Sequence, residues 1–145
     1  MGTFARCMAQ NFLDGERVLA LDLETTGIST NNDRIVQIAL IGSSEDGSEI
    51  SYENLVNPRR SIPMQASNVH GIYDNDVRGL SDFSTFADEI YEQVEGAVII
   101  GHNVRQFDLP LLNNEFRRLG KLPPNPSESC FNGSAPLQPL QYLFT

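Results

Sequence analysis

In the stretch RVLALDLETTG, Arg17 to Gly27, two carboxylates, Asp22 and Glu24, stand two residues apart at the end of an otherwise apolar run. Side chains on a strand alternate faces. Val18, Ala20, Asp22 and Glu24 therefore share one face, and Leu19, Leu21 and Leu23 share the other. Two carboxylates on one face repel each other. A divalent cation that prefers hard oxygen ligands, Mg²⁺ or Mn²⁺, removes that cost. The plainer reading of Asp-x-Glu is an acidic strand end left in solvent. A third acidic residue, Asp108, follows the short apolar run AVII at 97–100 and opens a helical pattern. As a helix N-cap it needs no further role. If the two apolar runs are parallel neighbours in a sheet, however, their ends lie together. Three converging carboxylates make a metal site of the kind that hydrolyses phosphodiesters by in-line attack.

The elements that must position these residues are readable in outline. Residues 18–24 form a first strand. RIVQIALIG at 34–42 is a second, and EISYENLVNP at 49–58 a third, with the turn cluster SSEDGS between them predicting a hairpin. Residues 57–80 read as a long irregular connection, and connections of that length often carry function. Phe83, Phe86, Ala87, Ile90, Tyr91 and Val94 recur at helical spacing, with Gly96 as a stop. AVII is a short buried strand and GHNVRQFD a loop. LPLLNNEFRRLG is a second helix, with Leu109, Leu112, Phe116 and Leu119 inward. Strand, hairpin, helix, strand, helix implies a mixed α/β sheet with helices on its faces.

From Lys121 onward the chain changes character. Five of the eight prolines lie in residues 121–145, without any period, so this segment reads as an irregular tail. Residues 1–16 read as a polar leader, and 17–120 as the folded domain. A 145-residue chain with 40% hydrophobic residues has material for one core. It contains no apolar run long enough for a membrane span and no secretory h-region. Cys7 and Cys130 have no metal-ligand spacing, and reduced thiols in the cytoplasm are the expectation. The net charge of −9 argues against tight binding of long duplex DNA. It leaves room for an enzyme that takes one strand end. Neither G-x-G-x-x-G nor a P-loop occurs.

Three blocks, LALDLETTG, NPRRSIPMQASNVHGIYDNDV and GHNVRQFDLPLLNNEF, resemble in order the opening blocks of the DEDD superfamily of 3′–5′ exonucleases. The resemblance is to the DEDDh branch, which includes the proofreading epsilon subunit of bacterial DNA polymerase III. It spans about Arg17 to Gly120. It implies a ribonuclease H-like mixed sheet with flanking helices. It also implies hydrolysis of single-stranded DNA or RNA from the 3′ end to nucleoside monophosphates, with a DNA polymerase subunit as a candidate partner. Asp22, Glu24 and Asp108 would be catalytic and would hold two Mg²⁺ or Mn²⁺ ions. Leu23, Thr25, Thr26, Val69, His70, Asn103 and Phe107 would meet the terminal nucleotide. His70 read alone is a structural loop histidine, and His102 belongs to a Gly-His-Asn turn. The family has a fourth block, in which a helix carries a His general base and, a few residues on, an Asp. After Asp108 this chain has neither His nor Asp, and the tail offers no strand or helix to follow Gly120. The resemblance thus implies a C-terminally incomplete domain with impaired activity. A non-catalytic module that binds nucleic acid or a polymerase, or an inactive fragment, is the alternative.

Overall fold

A computed structural model of the chain describes residues 15–131, with side chains described up to residue 127. The expected leader up to residue 14 and the tail from residue 132 lie outside the described residues. Five strands form one mixed sheet: β1 (Val18–Thr25), β2 (Ile35–Ser43), β3 (Glu49–Leu55), β4 (Val98–Gly101) and β5 (Glu128–Phe131), in the order β3-β2-β1-β4-β5. The hairpin reading holds, since β2 pairs antiparallel with both β1 and β3. β4 runs parallel to β1, with Ala20 opposite Ile100. The ends of these two strands therefore point the same way, as the three-carboxylate reading required.

The helices are α1 (Met64–His70), α2 (Asp74–Val77), α3 (Phe83–Val94) and α4 (Leu109–Arg118). The periodicity of α3 holds at four of its six positions: Phe83, Ala87, Ile90 and Val94 are buried, while Phe86 is half-buried and Tyr91 lies at the exposed rim of the face. The buried four pack with Leu19, Leu21 and Leu23 of β1 and with Leu111, Leu112 and Phe116 of α4 in the main core. Val18 and Ala20 belong instead to a second cluster, with Ala39, Val98 and Ile100. The alternation along β1 is thus the one its sequence implies.

Four local expectations need correction. The 57–80 connection is not irregular: it holds α1 and α2, fastened by Ile62, Ile72 and Val77 packing on Val36. Two polar contacts secure it, Ser67 Oγ donating to the Ile72 carbonyl at 2.7 Å and Ile62 N–H donating to Asp74 at 2.9 Å. The GHNVRQFD segment is a π-helical turn over Val104–Asp108 that runs directly into α4. In α4, Leu111 is buried along with Leu112 and Phe116, and Leu119, just past the helix, is exposed, because the helix starts on the frame set by that turn. Finally, part of the proline-rich segment forms β5, parallel to β4. Proline removes backbone donors, but residues 128–131 contain none, and the open edge of β4 supplies their partners.

Candidate active site

β1 delivers Asp22 and Glu24, half-buried, at its carboxyl end. The pairing with β2 shifts register between Glu24 and Thr25. Pairing resumes past this irregularity with Thr25 opposite Ile35, and Thr25 and Thr26 are both buried. Such shifts commonly re-aim side chains beside active sites.

Asp108 arrives from the next strand. Gly101 closes β4 so near β1 that a Cβ there would lie 2.8 Å from the Leu21 carbonyl oxygen, a distance no larger residue tolerates without displacement. Asn103 then takes a left-handed conformation, φ 55°, which asparagine accepts better than most residues. The π turn that follows brings Asp108 back over β1. Its own backbone is helical, and its side chain caps nothing; the N-cap reading does not hold. Instead Oδ2 accepts the Leu23 N–H at 3.2 Å, a bond across 85 residues of sequence. Asp108 is 6% exposed, the most deeply buried of the three carboxylates.

The electrostatics follow from this packing. Burial first, then the negative charge of Asp22, pushes the Asp108 carboxyl up to about 8. Burial and then Glu24 raise Asp22 to about 6, against the lowering effect of the Leu23 N–H. Burial also raises Glu24. Asp108 thus feels the charge of both Asp22 and Glu24, Asp22 feels that of Glu24, and Glu24 responds to burial alone. The three groups are not closed into a ligand cage: among the described residues no three His, Cys, Asp or Glu side chains are arranged to hold one ion. The donor chemistry, hard oxygens whose ionisation is disfavoured by one another, fits a divalent cation.

Beside Glu24 opens a cleft of about 560 Å³, lined by Leu23, Glu24, Thr25, Thr26, Val69, His70 and Phe107 among others. Six of the seven residues expected to meet a nucleotide thus share one cleft. Asn103 is not among its lining residues and acts through the turn it starts. His70 joins α1 to β1: Nδ1 accepts the Ile72 N–H at 3.1 Å, and Nε2 lies 3.0 Å from the Thr25 carbonyl oxygen. These bonds put the proton on Nε2 and commit both ring nitrogens.

Sequence reasoning missed three participants. Ile28, 91% exposed, lines the cleft beside Val69, 85% exposed; an apolar residue inside the polar run TGISTNND was its signal. Asp33 organises that loop, accepting from Thr26 Oγ1 at 2.7 Å and from Ser29 N–H at 2.8 Å. Glu115, with its side chain 1% exposed, accepts from Arg34 Nε at 2.8 Å, from Arg118 and from Ile35 N–H at 2.9 Å. It ties the helix that follows Asp108 to the far end of the Thr26 loop. Nothing local in the sequence marks that role.

Comparison with known proteins gives a consistent picture. The RNase T exonuclease family model matches residues 19–132. The chain is 34% identical over 123 residues to a DNA polymerase III subunit epsilon-like protein of Rhodobacter capsulatus, covering 82% of this chain and 17% of that protein. It is 30% identical over 104 residues to the DNA polymerase III subunit epsilon of Treponema pallidum, covering 72% and 48%. It is 29% identical over 109 residues to the 3′-5′ exonuclease DinG of Bacillus subtilis, covering 74% and 12%. The chain thus spans about half or less of these relatives. Among solved structures, E. coli Exonuclease I in complex with a dA16 oligonucleotide superposes with a TM-score of 0.64 at 26% identity, covering 73% of this chain and 24% of that one. No helix among the described residues is long and apolar enough to cross a membrane.

Proposed function

We propose that this chain, which belongs to the exonuclease family, takes the 3′ end of a single-stranded nucleic acid into the cleft beside Glu24. Family membership makes it a phosphodiester hydrolase domain by class. The observation that supports a specific site is the bond between Asp108 and the Leu23 N–H. It draws a third carboxylate from a distant part of the chain to the acidic end of β1, next to the cleft. Asp22, Glu24 and Asp108 would hold Mg²⁺ or Mn²⁺. Bound there, the ions supply an activated water and charge stabilisation at the scissile phosphate. Leu23, Thr25, Thr26, Val69 and Phe107 offer an apolar wall with hydroxyls at its edge, suited to a terminal nucleoside. Cytoplasmic nucleic acid, and a polymerase subunit as partner, follow from the relatives by analogy.

We further propose that these 145 residues are a weak nuclease by themselves, a reading supported by the lack of a free general base among the described residues. His70 has no ring nitrogen left to take a proton from water. After Asp108 the chain has no His or Asp. A positioned general base contributes about 10²–10⁴ in rate. The test is release of nucleoside monophosphate from a 3′-labelled single strand in Mn²⁺. Cleavage near background, changed little by Asp22→Ala, is expected. Robust cleavage that disappears with Asp22→Ala would show that a complete site forms after all.

A further inference from the structure

A second cleft, of about 320 Å³, lies beside the first and is lined by Asn57, Arg59, Arg60, Ser61, Asp74 and Arg78 among others. Three of the chain's ten basic residues gather there, in a protein of net charge −9. Arg59 reaches Asp82 through Nε at 3.1 Å. Arg60 donates to the Asn32 carbonyl at 2.8 Å and stands 3.8 Å from Asp33. Arg78 makes no ion pair with a described residue. The carboxylate in the lining, Asp74, is engaged by the Ile62 N–H. Arg59 also holds a left-handed backbone, φ 57°, stabilised by its N–H donating to Asn57 Oδ1 at 2.9 Å. Backbone strain at a non-glycine residue persists where the surroundings over-determine it, often at binding sites.

The two clefts are near neighbours. Asp33 lines the first and faces Arg60 of the second. Ser61 lines one and Pro63 the other, so their walls are at most about 7 Å apart along the chain. A polyanion brought to three carboxylates on an acidic protein is repelled unless cations nearby offset the field. Guanidinium groups match phosphate oxygens in geometry and charge. We infer that the arginine cleft binds the phosphodiester backbone of the same strand whose 3′ end enters the carboxylate cleft, an inference that rests on the function proposed above.

The experiment compares binding of thymidine monophosphate and of a twelve-nucleotide oligothymidylate to the 145-residue chain in Mg²⁺, across a salt series. The variants are Arg78→Ala and the double variant Arg59→Ala/Arg78→Ala, each checked for an unchanged melting temperature. Arg78→Ala removes no ion pair and so keeps the test valid if the double variant folds poorly. The double variant should bind the oligonucleotide about tenfold more weakly at low salt. Its salt slope should shrink by about 0.7 for each phosphate that is no longer neutralised, while mononucleotide binding stays unchanged. Oligonucleotide affinity and slope equal to wild type in both variants would overturn the inference. A wild-type chain that fails to bind the mononucleotide, yet keeps the arginine-dependent slope, would overturn the cleft assignment and leave the arginine site standing.

Discussion

Replacing Asp108 by Asn isolates the electrostatic cost of gathering three carboxylates. The folded protein holds the Asp108 carboxyl at about 8, against 3.8 for the free group. A raised carboxyl means that the unfolded chain ionises first. Stability is therefore present at low pH, falls as pH rises from about 4 towards 8, and levels off above that. At roughly 1.4 kcal/mol per pH unit crossed, about 5 kcal/mol has been lost by pH 8. Asparagine carries no charge and can keep the carbonyl acceptor for the Leu23 N–H. In EDTA, the variant should melt on the order of 10 °C above wild type at pH 8, and within about 3 °C of it at pH 4. Adding Mg²⁺ should then raise the melting temperature of wild type more than that of the variant, because a ligand that binds only the folded state stabilises it. The assay is thermal unfolding by circular dichroism over that pH range. A gain of equal size at pH 4 and pH 8, or none at either, would refute the assignment of Asp108 to a repulsive carboxylate cluster.

Glu115→Ala leaves Arg34 without its buried partner and the Ile35 N–H without an acceptor; about 3–5 kcal/mol of stability should be lost in urea unfolding, and Glu115→Gln should lose less. Gly101→Ala forces a methyl against the Leu21 carbonyl and should cost about 1–3 kcal/mol, with weaker Mg²⁺ stabilisation because the turn to Asp108 moves with the strand end. His70→Ala should lower stability by about 1–2 kcal/mol, since it removes bonds to both Thr25 and Ile72. It should also weaken mononucleotide binding, read by titration calorimetry; unchanged binding would make His70 structural only.

Period and local chemistry suffice where an element answers to its own residues. Helix 83–94 follows from apolar spacing, because one face must be buried whatever lies opposite it. The strand read at 18–24, which ends one residue later in the structure, follows from alternation, which also placed Asp22 and Glu24 on the same face. The turn between β2 and β3 follows from its Ser, Asp and Gly content. Each of these depends on interactions a few residues apart.

Other features depend on partners far away in sequence. Residues 128–131 have no period of their own and become a strand because the edge of β4 offers hydrogen bonds. Helices 64–70 and 74–77 are short and owe their form to packing on Val36, to the bond that Ser67 donates to Ile72 and to the one that Asp74 accepts from Ile62. Asp108 has a residue type that fits a helix N-cap. Only the left-handed Asn103 and the π turn decide that its carboxylate meets the Leu23 N–H instead. Glu115 reads as one more helical carboxylate until Arg34 and Ile35 arrive from 80 residues earlier. Residue types thus pointed to the chemistry of the candidate site, while burial and long-range hydrogen bonds decided which of those residues come together.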